Sequence, residues 1–182
     1  MVQSRRISGP RNVPVDLEDL RRHCKVTDPD ENSILEAMLD AACLTVEARI
    51  WRAVAESDWV CTLSKFPDGA LMVPFGPVLS VTSLTYVDAD DQEQPLTEET
   101  WRLAGNLIEP LTDWPLTASR SEAVILQWTA APDGDGCPAD LAQAVKMLAG
   151  WWYQQREAAG PQGTDTVPWG VDMILRSNRN FA

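Results

Sequence analysis

The sequence is poor in the side chains that most enzymes depend on. It has one histidine, His23, set among Arg21, Arg22 and Lys25. A Ser-His-Asp or Cys-His arrangement would have to use it, and no G-x-S-x-G element accompanies it. His23 therefore reads as a surface or packing residue. Neither G-x-x-x-x-G-K-[ST] nor G-x-G-x-x-G occurs, which removes the usual phosphate-cradling loops and with them an ordinary NTPase. The four cysteines, Cys24, Cys43, Cys61 and Cys137, form no C-x-x-C pair and read as reduced, small hydrophobes. Together with a lone histidine they make no zinc site. No catalytic residue, cofactor or metal is assigned, and the expectation is a protein that is not an enzyme. No run approaches the ~20 apolar residues needed to span a bilayer. The opening MVQSRRISGPRNVPV lacks the apolar stretch of a signal peptide, so an intracellular product without a membrane segment is expected.

Positive charge is also scarce. Fifteen basic residues face 27 acidic ones, a net charge of −12 over 182 residues. This argues against a general duplex-DNA binder, which needs Lys and Arg across its contact face. The charge is unevenly laid out. Residues 1–13 hold Arg5, Arg6 and Arg11 and no acid; residues 176–182 hold Arg176 and Arg179 and no acid; the body between carries −17. With 45% apolar residues the chain can build a core, and its length suits one domain or two very small ones.

What is present is a clear order of elements. Asp16 is a good N-cap for a first helix in VDLEDLRRHCKV, where Leu17, Leu20 and Cys24 recur at helical spacing. Asp28 as cap, Pro29 at the first position and Glu31 at the third open a second helix of roughly 20 residues. Its apolar stripe is Leu35, Met38, Leu39, Ala42, Val46 and Ile50. The middle changes period: 58–66, 78–87, 100–103, 106–109 and 123–129 read as strands, the last central because it is continuously apolar. Helix returns at Pro138 with Leu141, Val145, Leu148 and Trp152, followed by a linker GPQGTDT and a last short segment. Helices, then strands, then helices favour an α+β fold over a doubly wound sheet.

Two features need a chemical test. Asp88, Asp90, Gln92 and Glu99 fall at positions 1, 3, 5 and 12 of a calcium-loop frame, but Glu93 stands where that loop needs glycine, so a hairpin turn is expected. The eight tryptophans read mostly as core anchors. Adjacent Trp151 and Trp152 lie ~100° apart on a helix, so one must look away from the stripe.

Four stretches together resemble the head–tail connector (adaptor) proteins of long-tailed phages, prophages and gene transfer particles. They are VPVDLEDLRRHCKVTDPDENSILEAMLDAACLTVEARI, VPFGPVLSVTSLTYVDADDQEQPL, CPADLAQAVKMLAGWWYQQREA with its Tyr-x-x-Arg-Glu element, and VPWGVDMILRSNR. They span residues 13–179, and their joint order carries the likeness. Cys137 departs from it, standing where an aliphatic residue is expected. The resemblance implies a mainly helical bundle with a small antiparallel β subdomain, assembled as a ring of twelve beneath the portal. Such a ring extends the DNA channel, lets DNA pass without specific binding, and offers a surface to a tail-side stopper or tail-completion protein. The expected layout is a helical connector domain over 14–160 with a β insertion at about 58–130 and a linker with a C-terminal docking segment over 161–182; the basic arm over 1–13, expected to be flexible from Gly9, Pro10 and Pro14 in a polar context, lies outside the resemblance. Portal docking falls, by the same resemblance, to Pro168, Trp169, Gly170, Val171, Met173, Ile174, Leu175 and Arg176. Acids on the polar side of the second helix, Glu31, Glu36, Asp40 and Glu47, are expected to face the channel. The implied place is the head–tail junction of a virion or phage-like particle, after synthesis in the bacterial cytoplasm. The alternative is a small acidic enzyme or ligand-binding module with a cleft between helices and sheet. A stopper-like neighbour would be richer in strands, and the long second helix speaks against it.

Overall fold

The computed structural model describes residues 3–132, 136–155 and 167–179. The GPQGTDT linker, Arg156 and Glu157 of the Tyr-x-x-Arg-Glu element, and residues 180–182 lie outside that set. The chain forms two compact units, one of Pro10–Ala55 with Pro132–Ala182, the other of Met1–Gly9 with Glu56–Ala131.

The first unit is helical. Helix α1 (Leu17–Cys24) starts at Asp16, whose carboxylate accepts the Asp19 N–H at 2.7 Å, as its cap position demands. Asp28 caps Pro29–Glu31 in the same way, but that first turn is 3-10, and helix α2 proper is Asn32–Ile50. Helices α3 (Ala139–Gln154) and α4 (Trp169–Ser177) each begin after a proline, Pro138 and Pro168. One core joins all four: Leu20 of α1, Leu35, Leu39, Ala42, Cys43, Val46 and Ile50 of α2, Leu141, Val145 and Leu148 of α3, and Val171 and Leu175 of α4. Burying each Val or Leu contributes roughly 1.5–3 kcal/mol before chain entropy is charged against it. Trp152 packs on this core, so Trp151, half-buried, is the one that looks elsewhere. His23 packs against α3, where a Cβ on Gly150 would come within 2.7 Å of its ring.

The second unit holds eight strands among the described residues: β1 (Gln3–Arg6), β2 (Ser57–Leu63), β3 (Leu71–Met72), β4 (Val78–Val87), β5 (Glu93–Pro95), β6 (Trp101–Ala104), β7 (Leu107–Pro110) and β8 (Val124–Ala130). They make an antiparallel five-stranded sheet, β1-β2-β8-β4-β5, and an antiparallel three-stranded sheet, β3-β7-β6. The continuously apolar strand, β8, is indeed central. Alternation places Val124, Leu126, Trp128 and Ala130 on a fully buried face, with Trp59, Cys61 and Leu84 beside them in register. Trp59 stacks on Phe75 at 4.2 Å and lies 6.3 Å from Trp128. Phe66 stacks on Trp114 at 4.5 Å.

The class is therefore α+β, but not mainly helical, and the β portion is no small subdomain. Strands β1, β3 and β5 have four, two and three residues, too few to display a period. Residues 3–6 correct the flexible arm most directly. They pair with Trp59–Thr62, and the Arg6 guanidinium sits 5.0 Å over the Trp59 ring, a cation–π contact that ties down part of the positive charge.

Between β3 and β4 the backbone at Gly76 meets the side chain of Asn106, which accepts the Val78 N–H at 3.1 Å. A Cβ at Gly76 would overlap that side chain, and moving it would break the bond. Gly76→Ala is expected to lower stability by about 1–3 kcal/mol, read by urea unfolding with tryptophan fluorescence.

Candidate functional site

Three of the four thiols are held away from the reactive thiolate form. Burial pushes Cys61 up to about 12 and, helped by the neighbouring Asp140 carboxylate, Cys137 up to about 11. Burial raises Cys24 too, so these three stay protonated at neutral pH. The Asp88 carboxylate is spent on a turn: Oδ1 accepts the Asp90 and Gln92 N–H groups at 3.0 Å and Oδ2 accepts from Gln94 Nε2 at 2.9 Å. These bonds, the Gln92 backbone foremost, hold Asp88 below the ordinary carboxylate range. Among the described residues, no three His, Cys, Asp or Glu side chains are placed to hold a metal ion, and no helix is long and apolar enough to cross a membrane.

Helix α4 has two faces of opposite use. Val171 and Leu175 point into the helical core and Ile174 packs half-buried against it. Trp169 and Met173, one turn apart, are 79% and 53% exposed, and Arg176 continues that outer line. Pro168 and Gly170 are half-buried at the helix start. The eight residues proposed for docking thus divide: the outer line is available to a partner, while Val171 and Leu175 are committed to the chain's own core.

The acids of α2 divide too. Glu36 and Asp40 are exposed and Glu31 is half-buried. Glu47 is only 1% exposed, which corrects its assignment to a channel-facing surface. Its Oε1 accepts the N–H groups of Val54 at 2.9 Å and Ala55 at 3.2 Å, while its own carbonyl accepts the Trp51 N–H at 2.9 Å. The physical reason is positional. Glu47 follows Leu39 and Cys43 at four-residue steps, so it stands at the edge of the buried face, and the chain past Ile50 needs an acceptor there. That spacing was the available signal in the sequence.

A groove not anticipated from the sequence joins α2 to α4, lined by Ala48, Arg49, Asp172, Leu175, Arg176 and Arg179. Arg176 Nε lies 2.7 Å from Asp172 Oδ2, and Arg49 lies 3.9 Å from Oδ1.

No family model matches the sequence, and no curated protein matches it significantly. Solved structures do match over nearly the whole length. The chain is similar to one from the neck of an empty GTA particle computed with C6 symmetry, at TM-score 0.78 and 24% identity over 99% of this chain and 96% of that one. It is also similar to a chain of the virion of a native gene transfer agent (GTA) particle, at 0.77 and 25%, and to one from the neck of a native GTA particle computed with C12 symmetry, at 0.76 and 26%, with the same coverage. The first match speaks for the fold alone. The other two support a structural virion component of a phage-like neck.

Proposed function

We propose that the protein is a head–tail connector (adaptor) of a phage-like particle, a ring of twelve copies docked beneath the portal. The observation that carries this reading is the end-to-end match to chains from particle necks, including necks computed with C6 and C12 symmetry. The ring extends the DNA channel and gives a tail-side stopper or tail-completion protein its surface. Docking on the portal falls to the outer line of α4, Trp169, Met173 and Arg176, helped by Pro168, Gly170 and Ile174 around them. Glu36 and Asp40 face the channel. A wall of carboxylates makes few counterion-releasing contacts, so DNA slides past without being gripped. The protein needs no cofactor in this role, and its place is the head–tail junction after synthesis in the bacterial cytoplasm.

Electron microscopy of the protein mixed with the portal of its own particle tests the reading. The expected result is a ring of this chain coaxial with the portal, with α4 at the contact. A binary complex without rotational symmetry, or no complex on assembled portals, would overturn it.

A further inference from the structure

Opposite charges mark the two ends of α2. At its start Asp28, Asp30 and Glu31 stand together, and no Lys or Arg occurs from Val26 to Ala48. At its end, ~28 Å away by helical rise, lies the arginine groove, with a volume of about 640 Å³. Three arginines and one aspartate line it, a formal charge of +2 on a chain whose net charge is −12. Leu44, one turn before Ala48 on α2, and Trp51, the residue that ends the helix, are 44% and 52% exposed.

We propose that this groove receives the acidic start of α2 from a second copy of the chain, so that copies join head to tail. The inference rests on the connector reading and names the contact that would close its ring. The two surfaces are complementary and different, which makes the contact heterologous, the kind whose repetition generates rings. The same ends could also meet in an antiparallel pair. That pairing needs a two-fold axis between neighbours, whereas rotation about one axis, as in the matched C6 and C12 necks, turns every copy the same way. Exposed ion pairs contribute at most ~1 kcal/mol each, so the charges set partner and direction while Leu44 and Trp51 supply apolar contact. DNA phosphate also suits arginine, but it would have to approach across an acidic body.

Reciprocal charge exchange in the assembled particle tests this. Arg49→Glu with Arg179→Glu, which leaves the outer line of α4 untouched, and separately Asp30→Lys with Glu31→Lys, should each reduce the chain recovered in purified particles by about tenfold, equivalent to ~1.4 kcal/mol at the contact. The chain carrying all four changes should return close to the original level. Thermal melting of each isolated variant checks folding. If a pair of changes lowers the melting temperature, a photo-crosslinking residue at Leu44 decides instead: a crosslink to a second copy supports the contact. No rescue by the fourfold variant, normal incorporation of the Asp30→Lys, Glu31→Lys chain, or a Leu44 crosslink to another protein or to DNA overturns it. Absence of the unaltered chain from particles would instead overturn the connector reading, and this contact with it.

Discussion

Replacing Glu47 by alanine should lower the stability of the helical unit by about 3–5 kcal/mol, because two buried N–H donors lose their acceptor at once. At the usual sensitivity of a chain this size that is a fall of about 8–15 °C in melting temperature. The cause is local. The chain leaves α2 through Trp51, which takes the left-handed conformation at φ 57°, a setting unfavourable for a bulky side chain. Three contacts from one residue hold the turn in place: the Glu47 carbonyl on the Trp51 N–H and its carboxylate on those of Val54 and Ala55. Val54 is fully buried, so no solvent is at hand to replace the lost acceptor. Glu47→Gln keeps a carbonyl oxygen at the same reach and should cost only about 1 kcal/mol, the difference between a charged and a neutral acceptor. Helix melting followed by circular dichroism separates the two. Equal losses for Ala and Gln would mean that charge, not the acceptor oxygen, holds the turn. A loss under about 1 kcal/mol for Ala would mean the turn holds without Glu47.

Helix ends and long strands were legible in the sequence because each carries its own local physics. Asp16 and Asp28 cap where their side chains predict, and the alternation of 78–87 coincides with β4. The sheet's extent was not legible, since β1 depends on a non-local pairing of Arg6 with Trp59 that no short window contains. The same limit explains the charge layout. Counting Arg6 in a solvated tail is natural from sequence, but its guanidinium belongs to an aromatic face. Arg176, grouped with the other basic end, proves to be half of a pair with Asp172 at a groove shared with Arg49. Tertiary contacts thus gather Arg49, Arg176 and Arg179 into one groove at the end of α2, which composition alone cannot express.

The two faces of α4 make the docking proposal sharply testable. Removing the C-terminal segment would be a poor experiment, because it strips Val171 and Leu175 from the core along with any partner surface. The faces should instead be altered separately. Trp169→Ala with Met173→Ala changes only exposed side chains, so the melting temperature should stay within a degree or two. Affinity for the portal should fall by about 2–4 kcal/mol, roughly 30- to 1000-fold, because an exposed tryptophan with an apolar neighbour one turn on has the character of an interface hot spot. Leu175→Ala should do the reverse. It leaves the outer line intact and costs about 2–5 kcal/mol of stability through the cavity it opens. Below its lowered melting temperature the variant should bind the portal as tightly as the original chain. Titration of labelled protein onto assembled portal rings measures both. If the double surface variant binds unchanged, the portal contact lies elsewhere. If Leu175→Ala weakens binding while still folded, the inner face takes part, and α4 must then leave its own core to dock, at a cost set by the burial of Val171 and Leu175.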